Sequence, residues 1–130
     1  MDRQIKFRGK TSFGQWVYGS YIKDYFKARE RYQDAIIYYL PNERRCTAFL
    51  DRESIGEFTG LYSVGGVELY EGDIFNTKPA RYQVIFKDGQ FMAEWLIGYK
   101  AALQTIPLYQ ICDQAILIGN IFDNPELLKL

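Results

Sequence analysis

Residues Glu57–Phe75, EFTGLYSVGGVELYEGDIF, decide the fold class. The stretch holds four carboxylates and four glycines. Two runs, GEFTGLY and VELYEGD, flank Gly65-Gly66. Aromatic and β-branched residues suit strands, and paired glycines accept the positive φ of a tight hairpin. The stretch therefore predicts two antiparallel strands and their turns. On a strand, Glu68 and Tyr70 share one face while Leu69 and Glu71 share the other. Gly72 breaks the strand, and Asp73 is placed to bond nearby backbone amides as an Asx-type turn. The rival account of Glu68, Glu71 and Asp73, with Glu57 upstream, is an acid/base pair or a magnesium or calcium site. The D-x-D-x-D-G order of an EF-hand loop is absent, and turn chemistry is the simpler account.

Outward from this stretch the pattern repeats. Ile5 to Arg8 and Trp16 to Ile22 read as an antiparallel pair, with Phe13-Gly14-Gln15 at the turn. KDYFKARERYQ has no clean helical face and reads as a long charged loop or hairpin tip. DAIIYYL is a strand closed by Pro41-Asn42, and CTAFL is another. DRES reads as a turn or a single helical turn with Asp51 as cap. RYQVIF and QFMAEWLI flank Asp88-Gly89, a hairpin signal. Lys100 to Thr105 is a short helix or an irregular strand stopped at Pro107. AILIGNIF is a late buried strand, and DNPELLKL places Pro125 in the first turn of a short terminal helix. Short strands separated by Gly and Asp-Gly turns predict an all-β, mainly antiparallel fold, barrel- or sandwich-like. Residues 1–130 form a single domain, or two small β subdomains of about 1–50 and 57–121.

The totals exclude several functions. The chain has 130 residues, 48% hydrophobic and 17% aromatic. That aromatic share exceeds what a core of this size needs, and aromatics are favoured at interfaces. Sixteen basic and sixteen acidic side chains cancel, which argues against charge-driven binding to duplex nucleic acid. There is no histidine. Ser-His triads, the common zinc sites and the commonest general acid/base go with it. MDRQIKFRGK is too polar for a signal peptide, and no apolar run is long enough for a helical membrane span. The expectation is a cytoplasmic protein with reduced thiols at Cys46 and Cys112.

Other candidates remain. Trp16, Tyr18, Tyr21, Tyr25 and Phe26 lie beside Lys23, Lys27 and Arg29. Trp16 and Tyr18 share one strand face, the geometry of a stacking platform for single-stranded nucleic acid. Burial in a core or interface is the simpler account of the same rings. Cys46 follows Arg44 and Arg45, but a strand-borne buried thiol is expected there. Cys112 has no base to activate it. GLYSVGG lacks the Gly-Lys-Ser/Thr of a phosphate loop.

Four segments taken in order, IKFRGK with GQWVYG, FTGL with VELYEGDIF, YQVIFKDGQF, and IGNIFDNPELL, resemble the YopX family of small phage and prophage proteins. The likeness runs from Ile5 to Leu128; Lys23 to Asp51 and Ile97 to Gln114 look private to this chain. The resemblance implies an all-β homo-oligomer made in the bacterial cytoplasm, with no assigned reaction and no catalytic residue. Gly60, Tyr70, Glu71, Gly72, Asp73, Gly119, Asn120 and Pro125 then fit a scaffold role, as turn formers, caps and strand ends.

The expectation is a non-enzymatic accessory protein without a cofactor. Its partners would be further copies of itself and a host or phage protein. The alternatives are a single-stranded nucleic-acid-binding module on Trp16, Tyr18, Lys23, Lys27 and Arg29, and a carboxylate-metal hydrolase on Glu68, Glu71 and Asp73.

Overall fold

The structure, a computed structural model, describes residues 3–29, 31–98 and 104–128. The chain divides into two units, Met1–Phe58 and Thr59–Leu130. The described residues form two antiparallel five-stranded sheets joined by turns and short 3-10 segments. The all-β expectation therefore holds.

The first unit carries β1 (Phe7–Thr11), β2 (Trp16–Ala28), β3 (Arg31–Tyr39) and most of β4 (Arg45–Tyr62). The β1–β2 hairpin closes where the Gly14 turn was expected: Gly14 N donates to Thr11 O at 3.0 Å and Thr11 N to Gln15 O at 2.9 Å. β1 pairs with β2 (Lys10 opposite Trp16) and also with β4 (Phe7 opposite Glu57). With β2–β3 and β3–β4 also paired, the four strands close into a hydrogen-bonded ring.

Period-two patterning gives this ring an inside and an outside. Val17, Gly19 and Tyr21 are half-buried while Tyr18, Ser20 and Ile22 are exposed. β4 repeats the pattern, with Cys46 and Ala48 half-buried and Arg45, Thr47 and Phe49 exposed. Inside, Phe7 packs on Tyr21 at 5.3 Å between ring centroids, and Ile36, Leu50 and Phe58 are buried. Burying an Ile, Leu or Phe side chain contributes about 2 kcal/mol each. Gly19 sits where a Cβ would stand 2.3 Å from Ile37 O, so only glycine lets β2 and β3 approach as they do.

Two expectations are corrected in this unit. Of the two readings of Lys23 to Gln33, the hairpin tip holds and the long loop does not. β2 continues to Ala28 and β3 begins at Arg31, with a register shift between Ile22 and Phe26. Asp24 takes a positive φ of 53° inside that bulge, and the extra residues there erase the alternation that would have marked a strand. DRES is likewise strand, the middle of β4. The turn-like contacts exist but are local: Glu53 N donates to Asp51 Oδ1, and Ser54 Oγ donates to Asp51 O. Ser54 Oγ also accepts from Lys10 N at 2.7 Å, where the β1–β4 register shifts.

In the second unit the end of β4 is followed by β5 (Glu68–Tyr70), β6 (Asp73–Asn76), β7 (Ala80–Lys87), β8 (Gln90–Gly98), β9 (Thr105–Pro107) and β10 (Ile116–Asn120). β5 pairs with β4, and the other sheet runs β10-β6-β7-β8-β9. The Gly65-Gly66 hairpin forms as expected, with Ser63 N on Val67 O at 2.8 Å and both glycines at positive φ. Asp88 and Gly89, at φ 54° and 80°, turn β7 into β8 with Lys87 opposite Gln90. This is the mirror-image turn that matches strand twist. The core gathers Leu69, Phe75, Tyr82, Val84 and Leu108, with Phe75 stacked on Tyr82 at 5.5 Å.

Two further readings are adjusted, and a third falls mostly outside the described residues. β10 is an edge strand, half-buried rather than buried, with Ile116 exposed. The terminal helix is only a 3-10 turn, Pro125–Leu128. Lys100 to Thr105 lies mostly outside the described residues, and Thr105–Pro107 is strand.

Candidate functional site

The outer face of β2–β3–β4 holds most of the first unit's exposed rings. Residues directly opposite in an antiparallel pair point to the same side. The registers Tyr39–Arg45, Ile37–Thr47 and Ala35–Phe49, with Ser20 opposite Ile37 and Ile22 opposite Ala35, therefore define one surface. Tyr39 is 66% exposed, Phe26 52%, Phe49 48% and Tyr18 48%. Tyr25 and Phe26 each lie near Phe49, at 6.2 and 6.3 Å between centroids, both pairs tilted by 42°. Ala35 and Ile37 form a buried floor between them. Isolated exposed rings need no explanation, but a contiguous set is the mark of a contact surface.

The predicted stacking residues are only partly brought together here. Tyr18 faces outward on this surface. Trp16 is half-buried and covered by cations, with the Arg8 guanidinium 4.9 Å and Lys10 Nζ 5.8 Å from its ring centroid. It also lines an open depression of about 560 Å³ with Gln15, Val17, Tyr18 and Tyr38. Tyr21 points inward. Lys23, Lys27 and Arg29 are exposed toward the far end of the β2–β3 hairpin, and Lys27 Nζ lies 5.2 Å from the Tyr32 ring. Tyr39 and Phe49, which sequence reasoning passed over, are the better stacking surfaces. The alternation of TAFL with exposed Thr47 and Phe49 was the available signal.

An ionic knot in the same unit was also missed. Asp34, 2% exposed, accepts from Tyr21 Oη at 2.7 Å and from Asp24 N at 2.9 Å. Arg52 adds Nε at 2.9 Å and Nη2 at 2.6 Å, and its Nη2 also reaches Asp24 Oδ1. Burial pushes the Asp34 carboxyl up, but the hydrogen bonds from Arg52, the Asp24 amide and Tyr21 outweigh it and hold the group down at about 2. Tyr21 is pushed up to about 12, by burial first and then by its bond to Asp34. Arg52 is raised by its bonds to Asp34 and Asp24. A perturbed carboxylate marks either a reactive site or a structural ion pair. Here the donors from Tyr21, Asp24 and Arg52 lock the β2 bulge to β3 and β4. A charged residue opening the apolar run DAIIYYL was the only sequence signal.

The carboxylate stretch resolves into turn chemistry. Asp73, 1% exposed, accepts from Tyr70 N at 2.7 Å. Its bond reaches three residues back, whereas an Asx-type turn reaches forward. Glu68 is half-buried and its Oε1 accepts from Tyr70 Oη at 3.0 Å. Glu71 is half-buried in the turn. Among the described residues no three His, Cys, Asp or Glu side chains gather as a metal would require.

Gly72 links the scaffold motifs. Its φ is 95°, its N donates to Val84 O, and its O accepts from Ile121 N, both at 2.9 Å. Asn120 Oδ1 caps the final turn, accepting from Phe122 N and Asp123 N. Gly119 makes room for Asn124, whose Oδ1 would lie 2.4 Å from a Cβ there. Pro125 opens the last 3-10 turn, and Gly60 bends β4 at φ 80°. Cys46 and Cys112 are free; Cys46 is half-buried rather than buried, because it lies at the start of β4.

These features describe a small protein of two antiparallel sheets, whose recurrent Gly, Asp and Asn positions build turns and strand ends. The chain belongs to the YopX protein family, whose pattern matches residues 6–129. Its fold is similar to that of protein EF1440 from Enterococcus faecalis, seen in a crystal structure. That likeness covers 97% of this chain and 99% of that one, with 24% identity and a TM-score of 0.54. No curated protein matches the sequence.

Proposed function

We propose that this chain is a phage or prophage accessory protein that works by binding, without catalysis, as a homo-oligomer in the bacterial cytoplasm. The observation that carries the reading is the contiguous outer face of β2–β3–β4, where Tyr39, Phe49, Phe26 and Tyr18 stand about half exposed or more. A free protein gains nothing by wetting rings that could be buried, at about 25 cal/mol per Å² of apolar area. The lack of histidine supports a role without acid/base chemistry.

The two units differ in charge, which favours association. Met1–Phe58 has eleven basic and eight acidic side chains, net +3, and Thr59–Leu130 has five and eight, net −3. Size-exclusion chromatography with light scattering, recorded at two absorbance wavelengths, tests the reading. A defined oligomer, or a co-eluting macromolecule lost with Tyr39→Glu and Phe49→Glu, is expected. A monomer that retains nothing, unchanged by those substitutions, would overturn it.

A further inference from the structure

We infer that the outer face of β2–β3–β4 binds single-stranded nucleic acid, with bases stacked on Tyr39, Phe49 and Phe26 and phosphates held by cations at its two ends. This rests on reading that face as a docking surface and names the occupant. Bases present a π-face whatever their sequence, so exposed rings beside cations form a sequence-tolerant platform.

The arrangement has the parts such a platform needs. From Tyr39 to Gln33, opposite Phe26, the face runs six residues, about 20 Å at the rise of a strand. Ser20 and Thr47 lie between the rings, so short side chains separate the stacking positions. Arg45 stands opposite Tyr39 at one end, beside Arg44. Arg31, on the same side as Phe26, and Arg29 at the turn stand at the other, both exposed.

Charge complementarity selects this occupant. The unit is net positive, and the two carboxylates of the bulged region, Asp24 and Asp34, are both engaged by Arg52. Arg52 offsets one of their two charges, and Asp34 is buried, so their repulsion of a phosphate chain is reduced. A two-fold contact with a second copy would instead bring this positive face onto itself. A duplex keeps its bases stacked inside and offers these rings nothing. Base stacking and phosphate contacts are common to both sugars, so DNA and RNA strands should bind alike.

The test is fluorescence anisotropy of the full chain with a labelled oligothymidylate of about 15 nucleotides. Binding is expected at about 50 mM salt, weakening about 50-fold by about 200 mM if four cations contact phosphates. Oligouridylate should match it within about threefold, and a duplex of equal length should bind at least about tenfold more weakly. Phe49→Ala and Tyr39→Ala should each weaken binding by about fivefold or more. Arg29→Glu with Arg31→Glu should flatten the salt dependence; all four side chains are exposed, so folding should survive. Three outcomes overturn the inference. One is no binding at the lower salt. Another is binding indifferent to Tyr39 and Phe49. The third is a preference for duplex. If binding is absent while Tyr39→Glu and Phe49→Glu dissolve an oligomer or release a protein, the face is a protein contact: the docking reading stands and this occupant falls.

Discussion

Arg52 meets Asp34 with two N–H groups, Nε at 2.9 Å and Nη2 at 2.6 Å, and so ties the middle of β4 to the start of the buried run of β3. The same Asp34 receives the Asp24 amide from the β2 bulge. One buried carboxylate thus joins three strands just where β2 loses its regular pairing. The bulge has a positive-φ aspartate, so it needs an outside partner to persist, and Asp34 supplies it.

Stability should therefore fall in acid in a way that traces to Asp34. Its pKa is lowered from 3.8 to about 2 in the folded chain. Its contribution is fully present above the unfolded value and is lost as pH falls through the folded one. Urea denaturation at steps from pH 5 down to pH 2 should show that loss, and Asp34→Asn should flatten it. Asp34→Ala should cost about 3 kcal/mol at neutral pH, since it strands the Tyr21 hydroxyl and the Asp24 amide. An Asp34→Asn curve parallel to that of the unaltered chain would remove the assignment.

The alkaline limb carries the opposite sign. Tyr21 is raised from 10.0 to about 12, so its neutral form is favoured by folding. That contribution is complete below pH 10 and disappears as pH rises toward 12. Tyr21→Phe should show a smaller loss across this window. Tyrosinate absorbance at 295 nm should reveal one late-titrating phenol that the variant lacks.

Asp73 should matter for folding rather than for reaction. It is buried and holds the Tyr70 amide at 2.7 Å. Asp73→Ala leaves that amide unsatisfied and should cost about 2 kcal/mol, whereas Asp73→Asn keeps an acceptor and should cost less. Chemical denaturation ranks the three proteins, and equal midpoints would contradict the assignment.

The glycines divide by mechanism. At Gly19 a Cβ would stand 2.3 Å from the Ile37 carbonyl oxygen, a backbone atom that cannot swing away. Gly19→Ala should destabilise by about 3 kcal/mol, as overpacking does. At Gly65 nothing lies within 4 Å, but φ is +83°. Gly65→Ala should cost about 1 kcal/mol from backbone strain alone. Thermal melts of the two variants should differ in that order; a reversed order would mean that β2 and β3 separate easily.

Period and turn chemistry made most of the second unit legible. Gly65-Gly66 and Asp88-Gly89 are local signals, and local signals survive in sequence. The β7–β8 pair follows directly from its turn. The first unit was harder because its order depends on long-range partners. Lys23 to Gln33 reads as a loop or a hairpin tip rather than as strands, since the bulge breaks alternation and Asp34, 10 residues from Asp24, is what holds it. DRES looked like a turn because Asp51 and Ser54 make turn-like bonds, yet β1 pairs across them and keeps the chain extended. The candidate face was half legible: Tyr18 and the cations were found, but Tyr39 and Phe49 come from separate strands and meet only through register.

Metal should leave the fold indifferent. A hydrolase built on Glu68, Glu71 and Asp73 would need their oxygens turned toward one ion at about 2.0–2.6 Å. Asp73 Oδ2 is instead committed to the Tyr70 amide and Glu68 Oε1 to the Tyr70 hydroxyl. Freeing Asp73 for a cation would break a buried hydrogen bond and open the turn at Gly72. An ion held at about a hundred times its Kd would add about 2.7 kcal/mol of stability. The melting temperature in millimolar Mg²⁺ or Mn²⁺ should therefore equal that in chelator. A rise of several degrees that disappears in Glu68→Gln would restore the metal site and place it on a rearranged turn.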